Sequence, residues 1–187
     1  MGKGILVCGL NGSGKSTFGK ALAIKLGYHL IDMENLIFPK TDPDDIFASP
    51  CSKEEGKRRL LEEIKSHDRF VFVAVKGDYG EEIQSSYEWV VMLEVPREVR
   101  LQRVRDCAFQ KFGNRMMPGG DLYEREEAFF KMVCSRKEDY VTEWLKTLDC
   151  PVLYVDGTLP IPEMVSYVSE KMGETGGNKN YAGSKIL

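Results

Sequence analysis

The segment Gly9-Leu10-Asn11-Gly12-Ser13-Gly14-Lys15-Ser16-Thr17 restricts the fold of this chain more than any other stretch. Its glycines let the backbone turn tightly enough to aim successive N–H groups into one concavity. Before it lies the apolar run Gly4 to Cys8, which reads as a buried strand. After it comes the pattern Lys15 to Leu26, with Phe18, Leu22 and Leu26 at fourfold spacing, which predicts a helix stopped by Gly27. A strand, a glycine-rich loop and a helix N-terminus in that order make an anion cradle, because the helix dipole and the open N–H groups point the same way. The run fits GxxxxGK[ST] at every fixed position. The expected ligand is a nucleoside triphosphate, read as ATP, with Lys15 on its β- and γ-phosphates and the Ser16 hydroxyl on Mg2+. Gly9, Asn11, Gly12, Ser13, Gly14 and Thr17 complete the cradle.

Beyond the loop, short β-rich runs alternate with longer helical patterns, which predicts an α/β fold with a parallel sheet. Tyr28 to Ile31 reads as a second strand ending at Asp32, Arg69 to Val75 as a third, Trp89 to Val95 as a fourth and Val152 to Val155 as a last. Ser52 to Ser66 predicts an amphipathic helix opened by a capping box of Ser52 and Glu55. Pro96 opens a helix running to about Phe112, and Tyr123 to Leu148 reads as a second long one. A turn at Asp156-Gly157 leads to a helix over Pro162 to Met172. Pro39, Pro43 and Pro50 deny residues 33–50 any long element. The expected organisation is one domain over residues 1–172, broken by hinge chemistry at about 112–123, and a flexible tail over 173–187.

Composition narrows the function classes. A net charge of -3 offers no basic surplus for general nucleic-acid binding. No run approaches the ~18 apolar residues of a membrane span, so no membrane partner is expected. Cys8, Cys51, Cys107, Cys134 and Cys150 are odd in number and scattered without a CxxC pair, which reads as free thiols in a reducing cytoplasm. His29 and His67 are read as structural, and Trp89 and Trp144 as core. A GTPase would carry an NKxD motif after a late strand, whereas the Asn-Lys pair here is Asn178-Lys179 near the C-terminus. A kinase for a small molecule is the branch left.

Several short patterns, over roughly residues 3–172, resemble the adenylate-kinase-like and shikimate-kinase-like group of P-loop kinases. That resemblance implies a P-loop NTPase fold: a five-stranded parallel sheet flanked by helices, with a helical lid insertion. Asp32 with Glu34 two residues on is similar to the DxD-type element that, in shikimate-type kinases, supports magnesium and positions the acceptor hydroxyl. Capping the next helix is the other role open to Asp32. Val95-Pro96-Arg97-Glu98 followed by Arg103 resembles the lid entrance of nucleoside monophosphate kinases, which implies Arg103 near the adenine or the phosphates. Cys107 stands where a further arginine often follows, and whether Arg105 substitutes for it is left open. Arg97, Arg100 and Arg103 can share one helix face; for Arg97 and Arg100 a solvated charged face is the alternative.

The break at 112–123 resembles a lid, whose purpose is to exclude water during phosphoryl transfer. Arg125 and Arg136, on one predicted helix with Tyr140 following, resemble the pair that clamps the phosphoryl group in flight; surface charge is the alternative. Val155-Asp156-Gly157-Thr158 resembles the turn beside the adenine ring. On the acceptor side the chain departs from the group. Val75-Lys76-Gly77-Asp78-Tyr79-Gly80 stands where monophosphate kinases have Asp-Gly-Phe-Pro-Arg and shikimate kinases a glycine triplet. Lys76 and Asp78 either bind an acidic or hydroxylated acceptor or pair with each other.

The reading that results is transfer of the γ-phosphoryl group of Mg-ATP to an unidentified small molecule. Lys15, Asp32, Arg125 and Arg136 act in catalysis, Ser16 and Asp32 on magnesium, Arg103 and Asp156 on the nucleotide, and Asp32, Glu34, Lys76 and Asp78 on the acceptor. The rivals are an ATP-binding regulatory protein that kept the loop and a slow ATPase, both without an acceptor.

Overall fold

The structure, a computed structural model, describes residues 1–38 and 50–174. Strands β1 (Lys3–Cys8), β2 (His29–Asp32), β3 (Arg69–Val73), β4 (Tyr87–Glu94) and β5 (Val152–Asp156) form one sheet in the order β2-β3-β1-β4-β5. Every pairing is parallel. The register aligns Asp32 and Val7 with Val73, Cys8 with Met92, and Glu94 with Asp156. All five carboxyl ends therefore lie along one edge, where an open α/β sheet gathers its functional loops.

Alternation in these strands buries both faces, as parallel sheets require. Ile5, Val7, Val71, Val73, Val91 and Leu93 pack under α1 (Lys15–Leu26) and α8 (Ile161–Glu174). Leu6, Cys8, Phe70, Phe72, Val90 and Met92 face the other way, against α3 (Lys53–Ser66) and α7 (Thr142–Leu145). Phe18, Phe70, Phe72 and Leu60 are wholly buried, each contributing about 1.5–3 kcal/mol of apolar transfer. Among the described residues no helix is long and apolar enough to cross a membrane.

Several expected boundaries move, each for a tertiary reason. β3 ends at Val73 rather than Val75. The Ala74 N–H donates to Val7, and the Val75 carbonyl instead accepts from Gly9 N at 3.2 Å, closing the base of the glycine loop. The capping box is half formed: Ser52 Oγ accepts from Glu55 N at 3.1 Å, while the Glu55 carboxylate turns to Arg58 and Arg59. Residues 33–50 begin with a short helix, α2 (Met33–Ile37); Pro39 and Pro43 lie outside the described residues. A further short helix, α4 (Glu81–Gln84), follows β3.

The helix expected over Tyr123 to Leu148 is broken. After α5 (Arg97–Phe112) and a 3-10 turn at Gly113–Met116, α6 covers Tyr123–Ser135 only. Arg136 is extended (φ -70°, ψ 128°), and helix resumes at α7. The cause lies across the fold: Glu138 is drawn to Arg97 at 2.8 Å and to Arg100 at 2.5 Å, both at the start of α5. At the other end, α8 carries on through Glu174, past the expected start of the tail at 173; residues 175–187 lie outside the described residues.

Candidate active site

The loop after β1 is shaped by its glycines and by what backs it. Gly12 has φ +81°, and a Cβ there would stand 2.2 Å from the Arg100 carbonyl oxygen, so the loop can press against α5 only with glycine. Gly14 caps α1 in a left-handed conformation (φ 85°, ψ 11°) without a side-chain hydrogen bond, which leaves the first N–H groups of α1 available at the loop mouth. The turn after β5 closes the back: a Cβ at Gly157 would lie 3.0 Å from the Ser13 carbonyl oxygen. Ser13 is fully buried, whereas Ser16 and Thr17 are exposed at the helix start.

Lys15 is half-buried as a residue, yet burial governs its amine and lowers its pKa. Asp32, Glu34 and Cys8 oppose that shift, and Arg136 adds to it. One lysine, a second cation and the two carboxylates at the end of β2 thus share a single field. Among the described residues Lys15 meets no carboxylate at ion-pair distance. A desolvated cation in such a position favours an anionic ligand. Asp32 also caps α2, its Oδ1 accepting from Glu34 N at 3.0 Å.

Arg136 reaches the loop directly, donating through Nη1 to the Asn11 side chain, and its guanidinium lies 5.5 Å from the centre of the Tyr140 ring. Arg125 sits elsewhere, at the base of the expected lid: it meets Glu126 at 3.4 Å and lies over the Phe112 ring. The two arginines are therefore not aligned on one helix face, because the helix ends at Ser135. Arg103 donates to the Gly157 carbonyl at 3.1 Å and stands beside Gly14, on the flank that backs the loop. Asp156 orders the same turn, accepting from Thr158 N and Oγ1. Those bonds, together with Arg103, hold its carboxyl below its usual range.

Arg100 does not belong to a solvated face, whereas Arg97 stays partly exposed. Arg100 is buried and donates to the Val95 carbonyl as well as to Glu138, and Arg97 donates to the Cys134 carbonyl. Arg105 packs over Phe130 at 3.6 Å and pairs with Glu127, joining α5 to α6.

On the acceptor side Lys76 pairs with Asp78 at 3.1 Å, and Gln84 donates to the other Asp78 oxygen. The Lys76 ammonium also faces the rings of Tyr140 and Trp144, at 5.2 Å and 5.7 Å. Burial, then Tyr140 and Asp78, push the nearby Tyr79 hydroxyl up to about 12. Tyr140 thus stands between Arg136 and Lys76, linking the phosphate loop to the end of β3. Sequence reasoning missed Tyr79 and Trp144 as members of this cluster; its one signal was Tyr140 four residues after Arg136. A separate cleft of about 530 Å3 opens on the β4–β5 side, lined by Leu10, Met92, Glu94, Glu138 and Tyr154.

Comparison with known proteins bears on the family and the fold. A family model described as shikimate kinase matches residues 11–127. The Bacillus subtilis protein YqaC, itself uncharacterised, is 27% identical over 176 residues, covering 90% of this chain and 96% of that one. A shikimate kinase of Synechococcus elongatus is 34% identical over 114 residues, 55% of this chain and 58% of that relative, so the match spans little more than half of its length. A solved deoxyadenosine kinase from M. mycoides shares the fold at a TM-score of 0.54 and 19% identity, covering 91% of this chain and 99% of that chain. The matched range takes in most of the loop, Asp32 at the end of β2, Glu34 beyond it and residues 112–123, and it stops before Arg136. The chain therefore belongs to the shikimate kinase family of P-loop small-molecule kinases and is an ATP-dependent phosphotransferase.

Proposed function

We propose that this protein transfers the γ-phosphoryl group of Mg-ATP to a hydroxyl of a small molecule bound beyond the ends of β2 and β3. The observation that carries the reading is Lys15: a desolvated cation in a glycine cradle, with Arg136 delivered to the same loop. The N–H groups of the loop and the start of α1 hold the β- and γ-phosphates, and Lys15 neutralises them. Arg103 and the Asp156 turn flank the nucleotide from the β5 side. The Ser16 hydroxyl and the Asp32 carboxylate are hard oxygen donors of the kind that suit Mg2+ and would hold it. The ion supplies charge neutralisation along the phosphates.

Asp32 Oδ1 accepts from Glu34 N–H, which leaves Oδ2 for the acceptor hydroxyl. In the reaction the acceptor oxygen bonds to the γ-phosphorus, the bond to the β,γ-bridging oxygen breaks, ADP leaves, and the hydroxyl proton passes to Oδ2. Arg136 stabilises the charge on the moving group, and Arg125, in α6 at the base of the lid, completes the clamp when the segment 112–123 closes. The acceptor is a hydroxylated molecule with one acidic group, which displaces Asp78 from Lys76, while Glu34 borders the hydroxylated end. The free thiols on all five cysteines suit a cytoplasmic setting.

ADP release from Mg-ATP across sugars, hydroxy acids, nucleosides and nucleotides tests the proposal. At least about tenfold stimulation by one acceptor class, lost in Lys15→Ala, is expected for a kinase. Tight ATP binding with a rate that no acceptor changes would move the reading to a regulatory ATP-binding protein or a slow ATPase. The Lys76–Asp78 ion pair, which already occupies the acceptor side, is the observation that favours that second reading.

A further inference from the structure

Among the described residues, Arg136 is held by neutral groups alone. Its Nη1 donates to the Asn11 side chain, its Nη2 lies 3.3 Å from Met132 Sδ, and its guanidinium stands 5.5 Å from the centre of the Tyr140 ring. No carboxylate among the described residues comes within ion-pair distance of it. Arg97 and Arg100 give the contrast, since both pair with Glu138. An amide oxygen, a thioether and a ring face hold a guanidinium without cancelling its charge, which stays available to an anion.

Tyr140 supplies the ring face, and core packing does not explain it. The residue is 44% exposed, and it is the next one, Val141, that enters the core. Its backbone is nevertheless fixed on both sides. Glu138 is bound to Arg97 and Arg100 two residues before, Val141 is wholly buried one residue after, and Tyr140 N donates to the Lys137 carbonyl at 3.2 Å. An exposed ring on an anchored backbone is a platform for other side chains. The same ring takes a second cation, for Lys76 Nζ lies 5.2 Å from its centre. Both distances fall inside the ~6 Å over which an aromatic face attracts a cation. Trp144, four residues on and buried, meets Lys76 with a second ring at 5.7 Å.

We propose that Tyr140 is a positioning residue whose ring sets two cations in a fixed relation, Arg136 at the phosphate loop and Lys76 on the acceptor side. The proposal rests on the assignment of Arg136 to the moving phosphoryl group and adds the group that places it. Tyr140 acts through the two cations rather than by contact with the reacting atoms. A change at Lys76 therefore reaches Arg136 through the ring, and the acceptor side and the clamp respond together. The role needs the ring face and not the hydroxyl, so phenylalanine keeps it and leucine does not.

Calorimetric binding of Mg-ADP with aluminium fluoride, which stands in for the moving phosphoryl group, tests the proposal without an identified acceptor. The wild-type full-length protein should bind the fluoride complex more tightly than Mg-ADP alone. Tyr140→Phe should keep that gain within about twofold, and Tyr140→Leu should lose at least about fivefold of it. Mg-ADP affinity and Tm should stay unchanged in both, which separates misplacement of Arg136 from damage to the fold. Lys76→Met should lower the gain at least about threefold, and should lower it no further once Tyr140 is replaced by leucine. An undiminished gain in Tyr140→Leu, an equal loss in Tyr140→Phe, or additive losses from Tyr140→Leu and Lys76→Met would each overturn the proposal. No gain in the wild type, or the same gain in Arg136→Ala, would overturn the assignment of Arg136 itself and the proposal with it.

Discussion

Burial lowers the pKa of Lys15 although Asp32 and Glu34 oppose the shift, so a phosphate bound at the loop would favour its charged form. Lys15→Met should therefore bind Mg-ATP at least about 100-fold more weakly in calorimetry while the Tm of the nucleotide-free protein does not fall. A drop in Tm with ATP affinity intact would show that Lys15 is structural. Asp32 calls for a finer cut, because one side chain is assigned two roles. Asparagine caps a helix as well as aspartate does, so Asp32→Asn should change unfolding free energy by less than about 1 kcal/mol. Its turnover should nevertheless fall on the order of 10²–10⁴ if Oδ2 takes the proton. Full turnover in Asp32→Asn would reduce Asp32 to a cap.

Among the elements, the break between α6 and α7 matters most, since it is what delivers Arg136 to the loop. Arg97 and Arg100 hold Glu138, and the chain from Arg136 to Val141 gives up helix to make those contacts. Partial burial works against the ionised Glu138, but the hydrogen bonds from Arg97 and Arg100 outweigh it and hold the carboxyl below its usual range. Glu138 is more than half exposed, which weakens the pair through solvent screening, so Glu138→Gln should cost about 1–2 kcal/mol at neutral pH. A lowered folded pKa means that the unfolded chain binds more protons in acid. The contribution is complete above the ordinary glutamate pKa of about 4.3 and is lost as pH falls through the folded value. Urea midpoints of wild type and Glu138→Gln should therefore differ at neutral pH and converge as acid protonates Glu138 in the folded state; a gap that persists at the acid end would contradict this. This break was not legible in the sequence. Tyr123 to Leu148 has an unbroken helical pattern, and the partners that end it stand 38 and 41 residues upstream. Local pattern did suffice for α1, whose periodic apolar residues and flanking glycines are all near neighbours.

For the molecule as a whole, strand order places every carboxyl end on one edge, and that much followed from alternating β-rich and helical runs. The phosphate half of the site was legible for the same reason: its loop is one contiguous segment whose chemistry is local. The proposed acceptor half was not, because Lys76 meets Tyr140 and Trp144 from more than 60 residues away in the chain, and nothing in the spacing announces that meeting. The ion pair of Arg115 with Asp121 bridges the segment proposed as a lid, and that of Arg105 with Glu127 ties α5 to α6 beside it. Closure on substrates should tighten it further. Trypsin cleavage after Arg115 and Arg125 should slow at least severalfold with Mg-ATP and acceptor together, relative to ATP alone. Equal cleavage under both conditions would show that 112–123 is no lid.

Single-turnover transfer from γ-labelled Mg-ATP, with protein in excess and acceptor saturating, tests the central claim most directly when wild type is compared with Arg136→Ala. The account predicts label in the acceptor for the wild type. In Arg136→Ala it predicts ATP binding within about fivefold of wild type and transfer slowed on the order of 10²–10³. Label appearing only as inorganic phosphate in the wild type, or equal transfer rates in the two proteins, would contradict it.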